Sequence, residues 1–286
     1  MSAPPVLAID LGGTKIAAGL VAGAVLLDRR ETRTERDGRA SAWIDAIARL
    51  VEGWQGYQAA GVAVTGLVQG GLWRALNLDT LAIPGGFPLG AVLTDRLGVP
   101  VLARNDAQAA AWGEFRFGAG QGADIAFVTV STGIGGGVVL DGRLLGGRAG
   151  LAGHFGITPV HTPDGVRLLE EIASGSVLDK RAGAASAVTA AAHRGEAWAE
   201  PLLDGVVAPL ALALRRVQLV LDPDRIVIGG GLGLAPGYLD RLHRHLDPVP
   251  VLQRPVLFAA ALGADAGLIG IADLAEQHFQ HGRMNI

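Results

Sequence analysis

One design occurs twice in this chain, and it limits the possible folds more than any other feature. Residues 7–21 read LAIDLGGTKIAAGLV, and residues 127–142 read FVTVSTGIGGGVVLDG. Each is an apolar run with strand character, a glycine turn holding a threonine, and a second apolar run. Glycine reaches conformations closed to other residues and lets a ligand approach the main chain. Two such passages predict two structurally similar halves, each offering a backbone loop to one ligand.

The intervening pattern fits this. Val6–Asp10, Ile16–Val21 and Ala24–Arg29 read as a strand meander, Trp43–Leu50 repeats apolar residues at helical spacing, and Gly61–Thr65 and Pro100–Ala103 read as strands. A helix over Ala107–Phe117 closes the first half. The pattern restarts with a strand at Ile125–Val130, a turn over Ser131–Gly137 and a strand at Val138–Leu140. Helices follow near Leu168–Ala173, Ser186–His193 and Val206–Leu221, then a strand at Arg225–Ile228, the cluster Gly229-Gly230-Gly231, and a final helix from Asp265. Interleaved strands and helices predict α/β layers. The expected division is a smaller lobe over 1–115 and a larger one over 116–265, with the last helix, 266–286, packing back on the first. The two lobes would face each other across a central cleft, a common place for a small-molecule site.

Composition removes several function classes. The 286 residues carry a formal net charge of −3 with both signs mixed along the chain, which argues against a nucleic-acid surface. Cysteine is absent, so no disulfide or thiolate metal site exists and a reducing cytoplasm is expected. Met1-Ser2-Ala3-Pro4-Pro5 lacks the layout of a secretory signal. The longest apolar stretch, Val206–Leu221, contains Arg215, Arg216 and Gln218 and reads as a buried helix, so no membrane association is expected.

The chemistry concentrates in a few places. In Asp10-Leu11-Gly12-Gly13-Thr14-Lys15, backbone N–H groups and the Thr14 hydroxyl suit phosphate oxygens, and Asp10 suits Mg²⁺ directly or through water. Thr132, Gly133 and Gly135 in the second turn have the same physics. Gly229-Gly230-Gly231-Leu232-Gly233 lacks the third glycine of a dinucleotide fingerprint, which would fall on Pro236 or Leu234. Close backbone approach of Gly230 and Gly231 to an adenine or ribose fits better. Asn105-Asp106, between a strand and a helix of small residues, has two readings. It is either a helix N-cap, or a general base at Asp106 with Asn105 orienting an acceptor hydroxyl.

DLGGTK, NDAQAAAWGE, TVSTGIGGGVV and IVIGGGLG, in that order and spacing, resemble the ROK sugar kinases over essentially the whole chain. The resemblance implies an actin-like ATPase (ribonuclease H-like) α/β fold. It also implies ATP and Mg²⁺ as requirements, Asp106 as catalytic base, Asn105 as a sugar ligand, a homodimer, and Gly12, Gly13, Thr14, Lys15, Thr132 and Gly133 around the ATP phosphates. ALNLDTLAIPGGFPL, NDAQAAAWGEF and GLAGHFG are most similar to the bacterial N-acetylmannosamine kinases in the family, which implies phosphorylation of that amino-sugar at its 6-hydroxyl. Glu170, in Glu170-Glu171-Ile172-Ala173-Ser174-Gly175, inherits a sugar-hydroxyl role, and Gly66 and Asn77 are further sugar contacts.

The departures are informative. The family's Glu-x-Gly-His segment is here His154-Phe155-Gly156-Ile157, with His154 in the sugar-binding position and Ile157 where a zinc-binding histidine stands. The following segment, Thr158–Gly165, holds no cysteine, and His161 alone cannot complete a tetrahedral site. A kinase without structural zinc is expected. Glucose or another hexose is the alternative acceptor. A non-catalytic sugar-sensing regulator is the alternative of a different class, since some ROK members are repressors with an N-terminal helix-turn-helix, whereas here the first strand starts by Val6.

Overall fold

The computed structural model describes residues 4–35, 39–76, 81, 83 and 85–282. In chain order come β1 (Val6–Leu11), β2 (Lys15–Ala22), β3 (Val25–Arg33), α1 (Ala40–Leu50), β4 (Ala60–Val64), β5 (Leu67–Gln69), β6 (Leu72–Arg74), α2 (Leu89–Leu97), β7 (Val101–Asn105) and α3 (Asp106–Phe117). They are followed by β8 (Ile125–Val130), β9 (Ile134–Leu140), β10 (Arg143–Leu144), β11 (Pro159–Thr162), β12 (Gly165–Leu168), α4 (Glu170–Ala173), α5 (Gly175–Ala182), α6 (Ala185–His193) and α7 (Glu200–Leu221). The chain ends with β13 (Arg225–Gly229), α8 (Tyr238–Leu246), β14 (Leu257–Ala259) and α9 (Ala266–Gly282). Two compact units form: Met1–Gly113 with Gly146–Leu151 and Asp265–Ile286, and Glu114–Leu145 with Ala152–Ala264.

Each unit is built on a five-stranded sheet of one topology. The orders are β3-β2-β1-β4-β7 and β10-β9-β8-β13-β14. In both, the central strand pairs antiparallel with the next strand in sequence and parallel with one reached by a crossover. The similar halves expected from the two passages are therefore present at the level of strand order and direction. The parallel strands are apolar on both faces because helices cover both. Leu7, Ile9 and Leu11 of β1 pack with Trp43 and Ile47 of α1, while Val6 and Ala8 pack with Leu268 and Ile271 of α9. The edge strand β3 is mostly exposed and carries Asp28, Arg29, Arg30 and Glu31, charges that blunt edge-to-edge pairing.

Local readings gave way in three places. The second glycine turn is shorter than its sequence suggests: Gly135, Gly136 and Gly137 lie inside β9, opposite Thr129, Val128 and Phe127. A side chain on Gly136 would collide with the Phe127 carbonyl and the Phe155 ring, so this glycine answers packing. The helix expected near Leu168 begins at Glu170, because Pro159–Leu168 pairs with itself as the β11–β12 hairpin. Trp198, a residue type usually well buried, is 51% exposed at the turn before α7, where Nε1 donates to Glu196 at 2.8 Å.

α3, which starts at Asp106, is set against α9 by small residues. A Cβ on Gly113 would lie 2.5 Å from the Ala266 carbonyl oxygen, and one on Gly270 would overlap the Ala109 carbonyl. Between these contacts Trp112 Nε1 donates to Asp273 Oδ2 at 2.6 Å. At the far end of α3 the wholly buried Glu114 accepts from the N–H groups of Ala119 (2.9 Å), Ala261 (3.0 Å) and Leu262 (2.8 Å). Three donors on one carboxylate offset its burial. Gly270→Ala is expected to destabilise the protein by about 2–3 kcal/mol, measured as a lowered urea midpoint. An unchanged midpoint would show that the two helices are not locked at this contact.

Candidate active site

In the first unit, Asp10 is the penultimate residue of β1, level with Ala17 in β2 and Ala63 in β4. Burial and then the negative charge of Asp106 push its carboxyl pKa up to about 7, with Lys15 and Arg29 pulling the other way. The Gly12-Gly13-Thr14 turn follows. It is closed by Gly12 N–H donating to the Lys15 carbonyl at 3.0 Å and braced by Thr34. The Thr34 hydroxyl donates to the Gly12 carbonyl at 2.8 Å, and its N–H donates to the Thr14 carbonyl at 3.0 Å. Thr34 carried no sequence signal. Thr14 and Lys15 are exposed, and the Lys15 ammonium pairs with Glu31 at 3.5 Å.

Asn105 and Asp106 join β7 to α3. Asn105 Oδ1 accepts from the Gln108 N–H at 3.0 Å, so Asn105 is the N-cap. Its Nδ2 donates to the Gly66 carbonyl and to Asp106 Oδ1, both at 2.9 Å. Asp106 Oδ1 also accepts from the Ala107 N–H at 2.7 Å. Both amide hydrogens of the buried Asn105 are thus committed inside the protein. In the protein alone these bonds tie Asn105 to Gly66 and to Asp106. Gly66 sits at φ +96°, and a Cβ there would lie 2.5 Å from the Arg74 carbonyl oxygen, so its backbone role requires glycine. The buried Gln108 reaches the Gly150 carbonyl at 3.4 Å, which brings the 146–151 segment to this unit. Asn77 lies outside the described residues.

In the second unit, Ser131 N–H donates to the Gly133 carbonyl at 2.9 Å and closes the turn that exposes Thr132. The first N–H groups of α5 anchor it: Gly175 donates to the Ser131 carbonyl at 2.7 Å, and Ser176 to the Thr132 carbonyl at 3.1 Å. Glu170 stands beside this turn, since Cβ atoms on Gly133 and Gly156 would lie 3.1 and 3.2 Å from its Oε2. Its carboxylate has no hydrogen-bond or ion-pair partner among the described residues. His154, just before Phe155, has both ring nitrogens withdrawn from solvent and without a partner among the described residues. Such buried polar atoms cost about 1–3 kcal/mol unless a ligand or water satisfies them. Gly230, at φ +84°, lies against the Val130 carbonyl and Thr129 Oγ1, and the Leu232 and Gly233 N–H groups both donate to that carbonyl at 3.0 Å. Gly231 is different. Among the described residues, its chain neighbours aside, no atom lies within 4 Å of where its Cβ would be, so it faces open space.

Among the described residues no group of three or more His, Cys, Asp or Glu side chains is placed to hold a metal ion. The Asp10–Asp106 repulsion nonetheless fits a hydrated divalent cation, which would relieve it.

Residues 6–278 match the ROK family. The chain is 50% identical over 282 residues to the bifunctional enzyme NanE/NanK of Brucella melitensis, covering 96% of this chain but 54% of that protein. It thus spans about half the length of that relative. It is 39% identical over 285 residues to the N-acetylmannosamine kinase of Shigella flexneri, covering 95% of this chain and 98% of the other. Among solved structures, a ROK family glucokinase from Streptomyces griseus in complex with glucose and AMPPNP superposes with a TM-score of 0.81 at 31% identity, covering 96% and 99% of the two chains.

The Asp10 carboxyl makes stability depend on pH. Its folded pKa lies above the ordinary value of 3.8, so between about pH 4 and pH 7 the folded protein holds a proton that the unfolded chain has released. Stability therefore falls as pH rises through that window. Asp10→Asn is expected to melt at least about 3 °C above the parent protein near pH 8, with the gap closing towards about pH 4. A gap independent of pH, read by scanning calorimetry, would contradict this electrostatic origin.

Proposed function

This chain belongs to the ROK family and has the actin-like ATPase α/β fold, and from that premise we propose that it transfers the γ-phosphoryl group of ATP to the 6-hydroxyl of N-acetylmannosamine. The observation that carries the reading is the fixed Asp106 carboxylate at the start of α3, close enough to Asp10 to raise its pKa. Two hydrogen bonds to Oδ1 set its orientation in the protein alone, so little reorganisation is left when a sugar arrives.

Asp106 takes the proton of the primary hydroxyl as that oxygen bonds to the γ-phosphorus, and the bond to the bridging oxygen breaks to release ADP. Asn105 holds the base in place. The Gly12-Gly13-Thr14 and Thr132-Gly133 turns bring side-chain-free backbone and the exposed Thr14 and Thr132 hydroxyls to phosphate oxygens, and Gly231 gives the nucleoside room. Asp10 would hold Mg²⁺ through water, supplying charge neutralisation on the phosphates. His154 and Glu170, whose side chains have no hydrogen-bond partner among the described residues, are suited to sugar hydroxyls, the imidazole accepting or donating and the carboxylate accepting. Cysteine-free composition suits a reducing cytoplasm, and the proposal extends to a homodimer, the assembly the family resemblance implies.

We propose further that the protein folds without structural zinc. The β11–β12 hairpin has other support: its ladder, the Thr162 hydroxyl on the Gly165 carbonyl (2.8 Å), and Glu171 accepting from Leu168 N–H and Arg167. Those last two contacts hold the Glu171 pKa below the usual carboxylate range. Elemental analysis of protein purified without added metal is expected to find far less than one zinc per chain. Stoichiometric zinc would refute this.

The function is tested by coupled ADP release with N-acetylmannosamine, N-acetylglucosamine, mannose and glucose. N-acetylmannosamine is expected to give the highest kcat/KM, and a clear preference for glucose would replace it as acceptor. Asp106→Asn should keep sugar binding while kcat drops by about 10²–10⁴-fold. Near-normal turnover would remove Asp106 from the mechanism, and sugar binding with no turnover in the parent protein would favour a sensor.

A further inference from the structure

The second unit contains a hollow of about 290 Å³ walled by one side of α7 and by the segments flanking His154 and Glu170. Its lining is almost wholly apolar: Val128, Phe155, Leu169, Leu214 and Val217 are among the walls. The Thr158 hydroxyl, also at the wall, is turned to the Phe155 carbonyl at 2.7 Å. One charged residue lines the hollow. Arg216 is exposed, contributes to the wall, and makes no hydrogen bond or ion pair among the described residues. An arginine placed so lays its aliphatic stem along apolar surface and keeps its guanidinium in water. The combination, a greasy recess with an uncommitted cation at its edge, complements a molecule with an apolar body and one anionic head.

The walls connect to the proposed sugar ligands through single peptide bonds. Phe155 follows His154, and its ring is wedged against β9 at Gly136, where a Cβ could not fit. Leu169 precedes Glu170 and is wholly buried, its N–H donating to the Thr158 carbonyl at 3.0 Å. A body filling the hollow presses on both residues from behind, and close-packed side chains pass such displacement on to their neighbours. We propose that this hollow is a regulatory site for a small carboxylate-headed amphiphile, whose occupancy shifts His154 and Glu170 and so changes the affinity for the acceptor sugar. The regulatory half rests on the kinase reading above, whereas the binding half does not.

Decanoate, kept below its micelle concentration, is the probe, and decanol of the same length is its uncharged control. Titration calorimetry on the full chain is expected to show one saturable decanoate site. Ala213→Trp, which fills the hollow from α7, should weaken decanoate and decanol alike by at least about tenfold. Arg216→Glu, a surface change that leaves the fold intact, should weaken decanoate by about tenfold and leave decanol unaffected. Absence of saturable binding, or equal decanoate binding by the parent and both variants, overturns the site. In the ADP-release assay, saturating decanoate should change the sugar KM by about fivefold in the parent and not in Ala213→Trp. Binding with an unchanged KM overturns the regulatory half. Because calorimetry needs no turnover, failure of the site and failure of the kinase assignment are told apart.

Discussion

Two carboxylates held close together with little water to screen them set the terms for this protein. Burial first, and then the charge of Asp106, raises the Asp10 pKa, and folding alone does not relieve the repulsion between the two carboxyls. Much of the first unit can be understood as the frame that resists it. β1 fixes Asp10 near the end of a strand paired on both sides, and β7 with its Asn105 cap fixes Asp106. The glycine contact between α3 and α9 keeps the helix start where β7 delivers it. Local instability at the centre of a site is tolerated when the surroundings over-determine it, and the reward is an unfilled demand for positive charge.

The second unit meets a related problem with polar atoms in place of charges. Among the described residues His154 has two buried nitrogens without partners, and the half-buried Glu170 has a carboxylate with none. A folded core rarely leaves such groups unsatisfied. Their neighbours, by contrast, are tightly specified: the Ser131–Gly133 turn is anchored by α5, and Gly136 and Gly230 are pressed against adjacent backbone. Rigid surroundings around unsatisfied polar groups are the arrangement expected of a binding surface.

What the sequence disclosed was local. The apolar runs of β1, β8 and β13, the glycine turns after them, and the small-residue helix behind Asn105-Asp106 can be read within a dozen residues. What escaped depends on distant partners. Nothing near Glu114 tells that its carboxylate will meet the N–H groups of residues 261 and 262. Nothing beside Gly135-Gly136-Gly137 tells that Phe155 will need the space, so three glycines in a row passed for a turn. α2 was missed because it rests on little more than Leu89 and Leu93, with Gly90 in its first turn. Asn105 was legible as a cap or an orienter, and only its bond to Gly66, from a separate strand connection, shows how fully its donors are spent.

The route of the chain has a consequence for biosynthesis. The first unit takes its last helix from residues 266–282, and one face of its sheet, including Val6 and Ala8, packs on Leu268, Ile271, Ala272 and Ala275 of that helix together with Ala109 of α3. A nascent chain leaves the ribosome with this face uncovered until residues 266–282 have been synthesised. A polypeptide that stops before α9 would therefore expose an apolar sheet face, prey for chaperones and proteases, so a stable first unit waits for that helix.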